Sequence, residues 1–277
     1  MNISFKSISI IFIIIISLII SSQTYTKSKE TLIIQSTTST RDSGFYDYIL
    51  PIFKKKFNIE VYVVAVGTGL AIKNAMNCNA DILITHATEL EKKFIDEGYG
   101  IIRNDLMYND FVIIGPKTDP AKIISSESAI DAFQKIFNNK SSFISRADDS
   151  GTNISERKVW SLALIKENDF NLDWYLESGQ GMGQTLNIAV AKNAYTYTDR
   201  ATWIRFKNKQ NHRILYQNDP LLFNQYGIVN INPEKCPNIN QKGATKLHQW
   251  LISDQGQRFI SEFRLNNTQL FIPNYNK

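Results

Sequence analysis

Two cysteines and three histidines are all that 277 residues offer to redox or transition-metal chemistry. Cys78 and Cys236 stand far apart in the chain, and spacing alone leaves both a disulfide and two free thiols open. His86, His212 and His248 form no pair at metal-ligand spacing, so a zinc site has no support. His86 follows a short apolar run and could line a cleft or simply support it. No GxSxG elbow is present, which removes the hydrolase signature. "GTGLAIK" misses the spacing of a nucleotide-binding phosphate loop, and "GQGMG" is not GxGxxG. No arginine-rich arm or basic-aromatic block occurs, which argues against nucleic acid. Only Asp148 and Asp149 resemble an acid–base pair. Adjacent carboxylates point apart, so the expectation is a protein that binds rather than catalyses.

The N-terminus reads as an address. Lys6 precedes the apolar run "ISIIFIIIISLII" at 8–20, and "SSQT" at 21–24 supplies small residues near a cleavage point. The run is short for a membrane span, and no second one follows. Residues 1–23 are therefore expected to be a cleaved signal peptide, with the mature protein exported to the periplasm. No cysteine stands at the end of the run, so there is no lipobox attachment site. Removing Lys6 with this segment lowers the net charge from +5 to +4.

Beyond the signal, short apolar strands alternate with helical stretches. "TLIIQS" (31–36), "IEVYVVAV" (59–66) and "DILIT" (81–85) read as strands. "FYDYILPIFKKKF" (45–57), "LAIKNAMN" (70–77) and "ATELEKKFIDEG" (87–98) read as helices between and after them. A second unit repeats the alternation, with strands "SSFIS" (141–145), "WYLESG" (174–179) and "AYTYTD". Its helices are "ISERKVWSLALIK" (154–166), "QTLNIAVAKN" (184–193) and "ATWIRFKN" (201–208). "FVIIGP" (111–116) and the stretch 214–233 look extended, and 243–263 closes the chain as helix. Such alternation indicates mainly parallel sheets covered by helices, an α/β fold. Two units joined by extended apolar stretches predict two lobes, 30–112 plus 227–277 and 113–226, with a cleft between them.

Four polar loops each follow a strand and precede a helix: "STTSTRDSG" (36–44), "GTGLA" (67–71), "SRADDSGTN" (145–153) and "GQGMGQT" (179–185). Unpaired N–H groups and the helix dipole make such places anion sites, and glycine lets the backbone approach a ligand. Ser, Thr and Asp are also ordinary N-caps, so one loop alone would mean little. Four together, with the planar Arg146 among the hydroxyls, point to an oxyanion. Alternatively Arg146 pairs with Asp148 or Asp149. Thr38, Ser39 and Thr68 would donate from one lobe. Arg146, Ser150, Thr152 and the backbone near Gly181 to Gly183 would donate from the other. One aspartate would cap the following helix or orient Arg146. A cleft with donors only would accept a fully deprotonated dianion and reject phosphate, which keeps a proton near neutral pH.

The same segments, in the same order, resemble the tungstate-binding solute-binding proteins of ABC importers, the TupA-like family. The resemblance runs from about Thr31 to Asn232 and includes "STTSTRDSGFYDYILPIFKKK", "VGTGLAIKNA", "ADILITHA", "KKFIDEGYG", "MYNDFVIIGP", "SRADDSGTNISE", "WYLESGQGMGQTLNIA" and "AYTYTDR". It implies a type II periplasmic binding protein fold that closes on tungstate or molybdate and delivers it to a membrane permease. It implies a monomer without enzymatic activity, cofactor or metal-cation site. The alternative is a phosphate- or organic-anion-binding protein of the same fold. The family's first loop and arginine loop carry oxyanion binding, which here are Thr37, Thr38, Ser39 and Arg146. The expected ligand set adds Thr68, Gly69, Ser150, Gly151, Thr152, Gly181 and Gly183. Two departures stand out. The family reads TTTS where this chain has Ser36-Thr37-Thr38-Ser39, and SRGD where it has Ser145-Arg146-Ala147-Asp148. Ala147 adds a methyl that disfavours positive φ.

Overall fold

The structure is a computed structural model, and it describes residues 30–265 and 267–275. The signal segment expected at 1–23 lies outside them. Among the described residues, no helix is long and apolar enough to cross a membrane.

In chain order the first elements are β1 (Glu30–Thr37), α1 (Thr38–Asp42), α2 (Phe45–Phe57), β2 (Ile59–Val66), α3 (Thr68–Met76), β3 (Ile82–Thr85), α4 (Thr88–Asp96) and β4 (Gly100–Pro116). The middle of the chain gives α5 (Ala129–Asn138), β5 (Phe143–Ser145), α6 (Gly151–Leu162), β6 (Tyr175–Glu177), α7 (Met182–Ala191), β7 (Tyr195–Asp199), α8 (Arg200–Arg205) and β8 (His212–Tyr216). It closes with β9 (Phe223–Ile231), α9 (Gln241–Leu251), α10 (Asp254–Glu262) and the short strands β10 (Arg264–Leu265), β11 (Thr268–Gln269) and β12 (Ile272–Pro273). The alternation expected from the sequence is present. Further features exceed it: β4 extends eleven residues upstream of the apolar "FVIIGP", α5 fills the stretch before β5, and the short strands β10 to β12 follow the closing helices.

The main sheet runs β2-β1-β3-β9-β4-β7-β5-β6. Its two ends are wound alike. β1 lies between β2 and β3, as β5 lies between β6 and β7. β1 pairs parallel with β3, and β5 pairs parallel with both β6 and β7. The centre is antiparallel, because β4 and β9 traverse it: β9 pairs with β3 and β4, and β4 pairs with β7. In each wound end the chain reverses direction beside its first strand. Ligands collect at such points, outside the carboxyl ends of the strands.

The apolar residues separate accordingly. One core gathers Leu32, Ile34, Phe45, Phe53, Ile82, Tyr226, Leu247 and Trp250. Another gathers Phe111, Phe133, Phe143, Trp160, Trp174, Tyr195 and Tyr197. Cys78 and Cys236 resolve the alternatives left open by spacing. They form a disulfide with Cα atoms 5.3 Å apart, tying the turn after α3 to the segment after β9 across 158 residues.

Candidate anion-binding cleft

Each of the four polar loops sits at a helix start. Thr37 ends β1 and caps α1: its Oγ1 accepts from Thr40 N at 3.4 Å and lies 2.7 Å from Thr40 Oγ1 and 3.2 Å from Ser39 Oγ. The Thr37 hydroxyl is thus engaged within its own loop. Thr38 is half-buried and lines a cavity of about 520 Å³ shared with Gly181, Met182 and Gly183. Ser39 is buried, and its Oγ lies 3.2 Å from His86 Nε2. Thr68 opens α3 behind the extended Gly67, and Gly69 follows exposed in the first turn. Gly181 caps α7 in extended conformation, with Gly183 exposed in its first turn.

The arginine loop supplies the charge. Arg146 is only 3% exposed. One guanidinium nitrogen reaches Asp148 Oδ2 at 2.5 Å, while Nε is buried with no hydrogen-bond partner. Asp148 Oδ1 accepts from Ser150 N at 3.2 Å. Ser150 caps α6, its Oγ accepting from Asn153 N at 3.3 Å. Asp149 turns outward to Arg157 at 2.8 Å, with its side chain 83% exposed. So the pairing open at the sequence level falls to Asp148, which also satisfies the helix start. Thr152 is fully buried, and its Oγ1 has no partner either. A buried donor without a partner costs about 1–3 kcal/mol, and two of them lie at or just before the start of α6.

The loops of the two wound ends meet. Gly151 N donates to Thr68 Oγ1 at 3.1 Å. Thr38 and Gly181 to Gly183 line one cavity. Ser178 Oγ donates to Arg146 O at 3.3 Å and lies 2.8 Å from Thr185 Oγ1, which ties the arginine loop to the first turn of α7. Thr68 and Gly151 meet in direct contact, Ser39 reaches them through His86, Arg146 reaches Ser150 through Asp148, Thr152 follows Gly151 in α6, and Thr38, Gly181 and Gly183 line one opening. Thr37 is buried against Ser39, and Gly69 is exposed.

Several residues beyond the expected set belong to this place. His86 ends β3's loop, buried, with Nδ1 3.0 Å from Asn224 Oδ1. Burial, and to a lesser degree the nearby Arg146, push it down to about 4, so it is neutral at pH 7. Asn224 Nδ2 donates to Asn109 Oδ1 at 2.7 Å, and Asn109 Nδ2 is buried without a partner. Asp199 caps α8 by accepting from Thr202 N and Oγ1 at 2.8 and 2.6 Å; burial raises its pKa. Behind the arginine loop, Glu156 is fully buried and accepts from Ser145 Oγ, Trp160 Nε1 and Tyr175 OH. Burial pushes it up to about 7. The adjacency of β3, β4 and β9 creates the His86–Asn224–Asn109 chain, and no local spacing signals it.

The PBP superfamily domain is matched over residues 22–255. The tungstate-binding protein TupA of Peptoclostridium acidaminophilum is 40% identical over 254 residues, covering 90% of this chain and 87% of that protein. The chain belongs to the TupA-like proteins of the PBP superfamily. TupA of Campylobacter jejuni is 38% identical over 239 residues, covering 84% of this chain and 87% of that protein. Among solved structures, the tungstate-binding protein TupA from Desulfovibrio alaskensis G20 aligns with a TM-score of 0.79 at 40% identity, covering 89% of this chain and all of that one. This TupA-like chain therefore has the two-lobe type II fold, with its cleft between the lobes. Substrate-binding components of this kind are not enzymes.

Proposed function

We propose that this protein is the extracytoplasmic solute-binding component of an ABC importer. It captures a tetrahedral oxyanion, tungstate first and molybdate second, and delivers it to a membrane permease. The observation that carries the reading is the pair of buried, unpartnered groups at one helix start, Arg146 Nε and Thr152 Oγ1. The TupA relatives name the ligand. Taking a dianion out of water costs several kcal/mol unless hydrogen bonds and a counter-charge replace the water. Arg146 supplies the charge. Thr38, Ser39, Thr68, Ser150 and Thr152, with the backbone at Gly69, Gly151, Gly181 and Gly183, supply donors from both lobes. Thr37 shapes the first loop. The proposed lobes are 30–112 plus 227–277 and 113–226. A ligand that touches both draws them together, because closure is favoured by whatever binds the closed form better.

Selectivity follows from protons. Tungstate and molybdate are fully deprotonated near neutral pH and need donors only, whereas phosphate keeps a proton and needs an acceptor. Asp149 points into solvent, both oxygens of Asp148 are engaged, by Arg146 and by Ser150 N, and both oxygens of Asp199 accept from Thr202. This supports a donor-only cleft. Export as a monomer after cleavage of 1–23 completes the proposal. Calorimetric titration of the mature protein with tungstate, molybdate, phosphate and sulfate tests it. Tight tungstate and molybdate binding with phosphate silent is expected. Tight phosphate binding would move the function to the phosphate- or organic-anion alternative and assign Asp148 an acceptor role.

A further inference from the structure

Inside the cleft the first residue of α6 meets two residues of the other lobe at once. Gly151 N donates to Thr68 Oγ1 at 3.1 Å. A Cβ built on Gly151 would stand 2.6 Å from His86 Cε1, 2.8 Å from His86 Nδ1 and 3.2 Å from Thr68 Oγ1. Carbon atoms do not approach so closely, and a well-packed site answers an added methyl by moving apart. The ring borders an open cavity of about 520 Å³ shared with Gly151, but both of its nitrogens are held. Its Nε2 lies 3.2 Å from Ser39 Oγ, and its Nδ1 lies 3.0 Å from Asn224 Oδ1. Tyr226 packs against it at a tilt, with centroids 5.0 Å apart, and Phe111 lies 6.4 Å away. Asn224 is itself held by Asn109 at 2.7 Å.

We infer that Thr68, Gly151 and His86 form the closure latch of this cleft. The Thr68–Gly151 hydrogen bond holds the start of α6 against the start of α3, and the His86 ring is the stop that sets how near they come. Only a glycine at 151 lets the latch seat. Because Thr68 Oγ1 accepts from Gly151, its own hydrogen points elsewhere and is free for the anion. Thr68 is therefore a positioning residue whose single hydroxyl serves both the latch and the ligand. The inference rests on the reading of the cleft as an oxyanion site. It concerns when the ligand leaves rather than whether it is recognised. Contacts completed after encounter act on the dissociation rate, while the association rate stays nearly constant.

The test uses Gly151→Ala, Thr68→Val, Thr68→Ser, His86→Ala and the double variant Gly151→Ala/His86→Ala. Tungstate dissociation and association rates are measured by stopped-flow competition, and the unliganded melting temperature and radius of gyration are measured beside them. Gly151→Ala is expected to speed dissociation by roughly tenfold or more, with association changed less than about threefold and the unliganded melting temperature preserved. Thr68→Val should do the same, and Thr68→Ser, which keeps the hydroxyl, should stay within about threefold of the wild type. In the His86→Ala background the methyl at 151 has room, so adding Gly151→Ala should cost less than about threefold, the non-additivity expected of touching residues. Wild-type release from Gly151→Ala, or an equal loss in both His86 backgrounds, would overturn the latch. If the wild type binds no oxyanion, the functional reading falls instead. The radius of gyration then decides the latch: a wider Gly151→Ala, restored in the double variant, supports it, and an unchanged radius overturns it.

Discussion

Ala147 occupies a left-handed backbone position, φ +48°, between Arg146 and Asp148. An L-residue with a Cβ is strained there by roughly 1–2 kcal/mol, and glycine is not. The resemblance to the TupA-like family places glycine at this position, so this chain keeps the loop's path despite the methyl. Ala147→Gly should raise unfolding stability by about 0.5–1 kcal/mol in urea titration, after glycine's greater freedom in the unfolded chain is subtracted. No gain would mean that the path is relaxed for alanine. Thr152 gives a complementary test. Its buried Oγ1 has no partner in the unliganded cleft. Thr152→Val removes that hydroxyl at nearly constant shape, so it should leave unliganded stability unchanged or raised while weakening tungstate by about 1–2 kcal/mol. If both fell together, Thr152 would be supporting the fold alone. The polar character of these loops is legible in sequence because hydroxyls, glycines and an arginine crowd beside predicted helix starts. Which aspartate pairs with Arg146 is not legible, because it depends on the left-handed turns at Ala147 and Asp149.

At the scale of one element, α6 carries an apolar face, the proposed ligand face and one buried acid. Glu156 sits at its centre and receives Ser145 Oγ from the end of β5 at 3.0 Å. Burial raises its pKa from 4.5 to about 7. The folded state thus holds a proton that the unfolded chain releases once pH passes 4.5, so stability contributed by Glu156 falls as pH rises from about 4.5 to 7 and stays lower above that. Over this window the loss is on the order of 3 kcal/mol. Glu156→Gln should gain stability relative to wild type as pH rises from about 4.5 to 7 and be the more stable protein at pH 8, as read by the difference in melting temperature between the two proteins. A difference that does not change with pH would contradict this role of Glu156. Most of this helix could be read from its apolar spacing, and its start at Ser150 is set by a side-chain cap on Asn153 N. The neighbouring α5 had a signal too: Ser128 caps it, and Ala129, Ala132, Phe133 and Ile136 form its buried face. β4 was harder. Its first half, "GIIRNDLMYND", mixes polar and apolar residues because it pairs with β9 on one side while keeping exposed positions on the other.

For the whole molecule, the α/β class and the two alternating units were legible in the alternation of apolar strands and helices, and the strand order was not. The cleft followed from where the polar loops fell in that order. What sequence could not supply were contacts made by distant segments: His86 with Asn224, 138 residues on, and Cys78 with Cys236, 158 residues on. The disulfide closes a long loop in the unfolded chain, and its reduction should cost about 2–5 kcal/mol of stability. Tungstate affinity measured on the still-folded reduced protein should be unchanged, because both cysteines lie outside the four polar loops. A fall in affinity would couple the bridge to the cleft. Arg146 is proposed as the buried counter-charge of the bound dianion. Calorimetric titration of tungstate into wild type and Arg146→Gln tests this role. Removing a charged partner from a buried site costs about 3–5 kcal/mol, so the variant, measured where it is folded, should bind at least 100-fold more weakly. Equal affinity in the two proteins would contradict the account and leave the arginine a structural partner of Asp148.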